Sequence, residues 1–125
     1  MSGEIWRGKR VLLVEDQAMV AMMIEDMLGE LDCTVVATAS RLEKALQLAD
    51  SLDIDVAILD INLNGDVSYQ VADSLARRLI PFVFSTGYGA ASLPERFRAS
   101  PALSKPFQPA ALAQAIASVL CQTPD

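Results

Sequence analysis

Four short apolar segments of the sequence each lead to polar side chains that can take part in group-transfer chemistry. In chain order these side chains are Glu15 and Asp16, then Asp60, then Thr86, and finally Lys105. The set combines three carboxylates, one hydroxyl and one ammonium group. A carboxylate can attack phosphorus as a nucleophile, and nearby cations and hydroxyls stabilise the charge on the transferred group. The set therefore suggests transfer of a phosphoryl group onto Asp60.

The candidate site is rich in oxygen ligands and poor in nitrogen and sulfur ligands. Carboxylates that crowd together raise each other's pKa values unless a cation neutralises them. The chain has no histidine, and Cys33 and Cys121 form no CxxC pair, so we expect two reduced, buried or partly buried thiols and no zinc. Oxygen ligands suit Mg²⁺, with Mn²⁺ as the alternative. Thr86 and Lys105 would contact the phosphoryl oxygens.

Apolar runs of strand length alternate with segments of helical period. The runs are 10–14, 34–39, 55–59, 81–85 and 102–104. The first helical segment has a predicted buried stripe at Val20, Met23, Ile24 and Met27. The second runs from a capping box at Ser40–Glu43 to Leu52. The other two helical segments are 67–79 and 108–120. This alternation predicts a five-stranded parallel sheet covered by helices on both faces. Ligand sites in such folds lie at the carboxyl ends of the strands, where the polar set falls.

Length and composition predict one domain over residues 1–125, with a core at about 9–121 and no output domain. The net charge of −6 argues against binding to nucleic acid or to an anionic membrane. No apolar run approaches the roughly 20 residues of a membrane span, and no signal-peptide pattern opens the chain. We therefore expect a cytoplasmic protein.

Each residue of the polar set also has a simpler structural explanation. Asp16 could cap a helix, Asp60 could be a loop acid, and Thr86 could form a turn. Lys105 could be a solvated surface lysine. The prediction depends on the ordered set, because its members follow four different strands at the same end.

The motifs around these residues strongly resemble those of receiver domains of two-component response regulators. They are LLVED at 12–16, ILDINL at 58–63, FSTGYG at 84–89 and SKPF at 104–107. The resemblance extends from Arg10 to about Leu120. It implies an α/β, flavodoxin-like (βα)5 three-layer sandwich with strand order 2-1-3-4-5. The FSTGY segment is similar to the Phe-Ala-Thr-Gly-Gly/Tyr signature of stand-alone alphaproteobacterial receivers.

The resemblance also implies a ligand set. Asp60 is then the phosphoacceptor, Asp16 ligates Mg²⁺ directly, and Glu15 acts largely through water. The backbone carbonyl of Asn62 would be the third protein ligand.

The same resemblance assigns Thr86 to the conformational switch and Lys105 to phosphate contact, and it implies a cis Lys105–Pro106 bond. The phosphoryl donor would be a histidine kinase or a histidine phosphotransfer domain.

Two positions depart from the usual receiver pattern. Many receivers have an aromatic residue three positions before the lysine, and this chain has Ala102. Tyr88 is the candidate substitute, and we predict that phosphorylation reorders 88–98, where Gly89 and Pro94 disfavour a regular helix. In the alternative, the Tyr88 ring only covers the apolar wall of the site. Asn64-Gly65 also replaces the proline found in many receivers.

Apolar residues on the first helix predict a partner surface. Ala18 and Met22 project away from the predicted buried stripe, on the face that docks the phosphohistidine domain in receivers. Isolated exposed apolar side chains are also common without function. The uncharged, alanine-rich last helix could pack a second copy or an effector, or simply the sheet, so we expect a monomer or weak dimer. A downstream protein partner is expected, with the chain acting as relay intermediate, phosphate sink or adaptor.

Three other functions compete with this interpretation. A hydrolase of the haloacid-dehalogenase type needs an Asp where this chain has Asn62, and its nucleophile should follow the first strand. A flavin- or nucleotide-binding module is opposed by the acidic rim and by the lack of a glycine-rich phosphate loop. A degenerate receiver is disfavoured because the full residue set is present.

Overall fold

The computed structural model of the protein describes residues 4–87 and 93–121. The elements in chain order are β1 (Arg10–Val14), α1 (Ala18–Glu30), β2 (Thr34–Ala39), α2 (Leu42–Ser51), β3 (Val56–Asp60), β4 (Asn62–Leu63), β5 (Asp66–Val67), α3 (Tyr69–Arg77), β6 (Phe82–Thr86), a 3₁₀ helix (Glu95–Phe97), β7 (Ala102–Ser104) and α4 (Pro109–Cys121).

Five of the strands form one parallel sheet in the order β2-β1-β3-β6-β7. All five residues of β3 are buried, as expected for a central strand that is apolar on both faces. Because β6 and β7 are the fourth and fifth strands of this sheet along the chain, the observed strand order is the predicted 2-1-3-4-5. The predicted α/β class is confirmed as well. The remaining strands, β4 and β5, pair as a short antiparallel hairpin.

Successive side chains of the strands point to opposite faces of the sheet, which produces two cores. Leu12 and Leu59 belong to the core beneath α2 and α3, whereas Leu13 and Ile58 belong to the core beneath α1 and α4. This three-layer arrangement leaves the carboxyl ends of the strands as an open edge.

The buried stripe of α1 differs from the predicted one. The buried residues are Ala21, Ile24 and Leu28, while Met23 is 52% exposed. Val20 and Met27 lie at the margin of the core. The prediction was wrong at Met23 because α1 is apolar on several faces, and small Ala21 lets the helix lie close to the sheet.

Other helix boundaries also need correction. The predicted capping box of α2 is absent, since Arg41 is the N-cap residue and makes no side-chain capping bond. Helix α3 begins at Tyr69 rather than near Val67, because Asp66 and Val67 form strand β5. The third and fourth sheet strands each lie one residue later than predicted.

The two thiols lie in different environments. Cys33 is buried as predicted, and both burial and the charge of Asp32 raise the pKa of its thiol. Cys121 is exposed, so the prediction of at least partial burial was wrong there. Among the described residues, no helix has the length and apolar character needed to cross a membrane.

Candidate functional site

Four adjacent strands bring the predicted polar residues to one edge of the sheet. Asp60 is the last residue of β3 and Thr86 the last of β6, while Glu15 follows β1 directly. Lys105 follows β7, and its amide donates a hydrogen bond of 2.8 Å to the carbonyl oxygen of Thr86. These neighbouring strand ends are the point at which parallel α/β sheets place their ligands.

Three carboxylates form a cluster at this edge. One oxygen each from Glu15, Asp16 and Asp60 lies within 4.8 Å of the others. Glu15 and Asp60 are only 1% and 7% exposed, so these two carboxylates are largely shielded from water, whereas Asp16 is partly exposed. The Glu15 carboxylate is oriented further by the amide of Gln17, which donates to Oε2 at 3.1 Å.

Lys105 supplies positive charge to this cluster. Its Nζ lies 2.8 Å from Glu15 Oε1 and 3.4 Å from Asp60 Oδ1. Burial alone would lower the pKa of Lys105, but the hydrogen bond to Glu15 and the charge of Asp60 outweigh it and raise the pKa. The lysine therefore stays charged while it contacts both acids.

The carboxyl group of Asp60 ionises less readily than that of an ordinary aspartate. Burial, followed by the charge of Glu15, raises the pKa of Asp60 to about 7, although Lys105 acts in the opposite direction. Within the described residues, one ammonium group thus faces three carboxylates. A hard divalent cation with oxygen ligands fits this deficit of positive charge.

Asp16 behaves differently from Asp60. Partial burial alone would raise the pKa of Asp16. Hydrogen bonds to its carboxylate outweigh this effect and lower the pKa, and the largest contribution among them comes from the backbone amide of Asn64. That amide donates to Asp16 Oδ2 at 3.0 Å. Asp16 is therefore available as an ionised ligand next to the protonatable Asp60.

An open cleft of about 600 Å³ gives access to the cluster. Its lining includes Asp16, Asp60, Asn62, Thr86 and Lys105. The backbone amide of Asn62 donates to Asp60 Oδ1 at 3.4 Å. The cleft is large enough for a phosphoryl group and a cation beside Asp60.

Two further residues at this site were not predicted from the sequence. Ser68 is fully buried, and its hydroxyl donates to the backbone carbonyl of Asp60 at 2.6 Å, which ties the end of β3 to the start of α3. Tyr69 lines the cleft and packs against Phe97, with 5.6 Å between ring centroids. The serine had no signal in the sequence, since a lone serine before a helix is common.

Some predicted functional residues do not belong to the cluster. Tyr88 lies outside the described residues. Ala18 and Met22 are exposed on α1, and Met22 is 62% exposed. Met19 and Met23 are also exposed on this helix, which the sequence analysis did not predict.

Comparisons with known proteins agree with this geometry. The family model for the response regulator receiver domain matches residues 11–117. The transcriptional regulatory protein PdtaR of Mycobacterium tuberculosis is 31% identical over 112 residues, covering 86% of this chain and 55% of PdtaR. The chain thus spans about half the length of the curated relatives that it matches.

Solved structures extend the similarity over the whole fold. SdrG from Sphingomonas melonis Fr1 is 45% identical, with a TM-score of 0.82 and coverage of 96% of this chain and 99% of SdrG. A BeF3-activated conformation of SdrG from Pseudomonas melonis Fr1 is 46% identical, with a TM-score of 0.76 and coverage of 89% and 95%. The chain belongs to the response regulator receiver domain family, the phosphorylation-controlled signalling domains of two-component systems.

Proposed function

We propose that Asp60 is the phosphoacceptor of this receiver domain. An Asp60 carboxylate oxygen attacks the phosphorus of a phosphohistidine, the P–N bond breaks as the O–P bond forms, and the imidazole leaves with the bond electrons and takes up a proton. The proposal is carried by one observation, which is that Asp60 lies beside Glu15, Asp16 and Lys105 at the floor of an open cleft.

The cation that fits the acidic cluster is Mg²⁺, with Mn²⁺ as the alternative. Asp16, Asp60 and the backbone carbonyl of Asn62 would hold it, with Glu15 acting through water. Bound there, the cation neutralises charge on the carboxylates and on the phosphoryl oxygens during transfer. The buried, protonatable state of Asp60 in the absence of a cation supports this assignment.

Thr86 and Lys105 would contact the phosphoryl oxygens. Both line the cleft together with Asp60. Lys105 Nζ can keep its contact with Glu15 while it donates to a phosphoryl oxygen, since an ammonium group has three donors. The protein's chemistry would be confined to itself, as self-catalysed phosphotransfer and later loss of the phosphoryl group.

The donor would be a histidine kinase or a histidine phosphotransfer domain that docks on α1. Ala18 and Met22 are exposed on this helix. An apolar cleft of about 130 Å³ adjoins it, lined by Met23 and Met27 on one side and by Phe107 on the other. These features support docking close to Lys105. Met22→Lys is expected to slow phosphotransfer without unfolding the domain.

The output would be a change in protein–protein contacts. Ala102 is half-buried against the core beneath α2 and α3, in the position where an aromatic switch would lie. The proposed switch segment is 88–98, with Tyr88 as the candidate residue. Either a downstream protein binds the phosphorylated form, or the domain competes for phosphate as a sink.

The decisive experiment mixes the protein, MgCl₂ and radiolabelled, autophosphorylated histidine kinases from the same organism. We expect label on the wild type and none on Asp60→Asn. Asp53→Asn is the matched control, because that side chain is 92% exposed and lies away from the cluster. Equal labelling of Asp60→Asn and the wild type would refute Asp60 as the acceptor.

A further inference from the structure

The hairpin at 62–67 ends in a turn of unusual backbone conformation. Asn64 and Gly65 have φ angles of 53° and 94°, and they connect the paired strands β4 and β5. Two central residues with positive φ define a type I′ turn, for which Asn-Gly is the favoured sequence. The turn is therefore a specific structure that the local sequence encodes.

Hydrogen bonds connect this turn to both sides of the acidic cluster. The Asn64 amide donates to Asp16 Oδ2 at 3.0 Å, and the Asn62 amide donates to Asp60 Oδ1 at 3.4 Å. The Asn62 side chain also accepts a 2.8 Å hydrogen bond from the Gly65 amide, which closes the turn. One short segment thus contacts two acids that are 44 positions apart in the sequence.

We propose that the Asn64-Gly65 turn is a positioning element that holds Asp16 in the orientation needed to bind the cation. The inference rests on the proposed function, since it assumes a cation between Asp16 and Asp60. A carboxylate with one oxygen fixed by a backbone amide keeps its other oxygen directed and loses less conformational freedom on binding. The amide direction depends on the positive φ angles, so the turn conformation sets the position of Asp16.

Gly65 allows this idea to be tested without steric side effects. A Cβ atom added at Gly65 would meet no atom within 4 Å, so Gly65→Ala acts through the backbone preference alone. Valine strongly disfavours positive φ and should displace the turn. Alanine disfavours it less.

Gly8 provides a matched control. It has a φ of 79°, a Cβ there would also meet no atom within 4 Å, and it precedes β1 at the opposite edge of the sheet from the acidic cluster. Gly8→Val therefore imposes similar backbone strain far from Asp16.

The experiment measures the dissociation constant for MgCl₂ by NMR titration and calorimetry. Gly65→Val should weaken binding five- to tenfold and Gly65→Ala two- to threefold, while Gly8→Val stays within twofold of the wild type. In an Asp16→Ala background, Gly65→Val should cause no further loss, because the turn acts through Asp16.

The possible failures are distinguishable. If the wild type shows no saturable Mg²⁺ binding, both the proposed function and the positioning role of the Asn64-Gly65 turn are refuted. If the wild type binds Mg²⁺ but folded Gly65→Val and Gly65→Ala bind it equally well, only the positioning role is refuted. A loss in Gly65→Val that persists unchanged in the Asp16→Ala background would also refute it.

Discussion

At the scale of single residues, the charge of Asp60 depends on what surrounds it. Its pKa is raised to about 7, first by burial and then by Glu15, and an unfolded aspartate has a value near 3.9. Folded Asp60 is therefore protonated at pH values where the unfolded chain has already lost the proton. This difference stabilises the cation-free fold below about pH 4, and the stabilisation is lost as the pH rises through 7.

Asp60→Asn should remove this pH dependence. In EDTA at pH 8, we expect the variant to be more stable than the wild type by about 1–2 kcal/mol. This value is smaller than the free energy that the difference between the folded and unfolded pKa values would give, because solvent near Lys105 screens the charge. At pH 4.5 the two should differ little. Urea unfolding at both pH values measures the effect. An equal gain at pH 8 from exposed Asp53→Asn would show that general charge, rather than Asp60, is responsible.

Residue types at strand ends could be predicted from sequence, but their partners could not. The convergence of Asp60, Thr86 and Lys105 follows from strand order, which the motifs encode. The hydrogen bond from Ser68 to the Asp60 carbonyl depends on the path of the intervening hairpin, and no local pattern specifies it. Met23 was wrongly predicted to be buried, because methionines at several positions of α1 give that helix no single apolar face.

At the scale of elements, Ser68 links β3 to α3 through a buried hydrogen bond. Ser68→Ala leaves the Asp60 carbonyl without this donor, so we expect a loss of about 1–2 kcal/mol in the free energy of unfolding. Ser51→Ala is a matched control, because its hydroxyl donates to the Gln47 carbonyl at an exposed position and should cost under about 0.5 kcal/mol. Similar losses in the two variants would mean that burial does not strengthen the Ser68 bond.

The hairpin shows where element prediction from sequence reached its limit. The five strands of the main sheet and the helices that cover it have clear apolar patterns. The order of the strands in the sheet was predicted correctly. Strands β4 and β5 have two residues each, which is too short for any periodicity. The Asn64-Gly65 pair carried the available signal, since it is typical of a type I′ hairpin turn. In the comparison with the usual receiver pattern, the same pair stands only as a replacement for proline.

At the scale of the whole molecule, charge and cation binding both affect stability. The protein has a net charge of −6, so its excess acidic groups repel one another in the folded state. Any salt screens this repulsion and will stabilise the protein to some degree. The acidic edge of the sheet concentrates part of this charge in one place, where Lys105 contacts two of the three carboxylates, those of Glu15 and Asp60. A specific cation effect must therefore be separated from screening.

Adding Mg²⁺ should stabilise the fold through binding at this edge. At a free concentration 100 times the dissociation constant, we expect a gain of about 2.7 kcal/mol in the free energy of unfolding, which EDTA should reverse. NaCl at equal ionic strength should give a much smaller gain, because it screens charge without occupying the site. Asp16→Ala should lose most of the Mg²⁺ effect and keep the NaCl effect. If both salts stabilise the wild type equally, the acidic cluster only adds to the net charge and does not bind Mg²⁺ specifically.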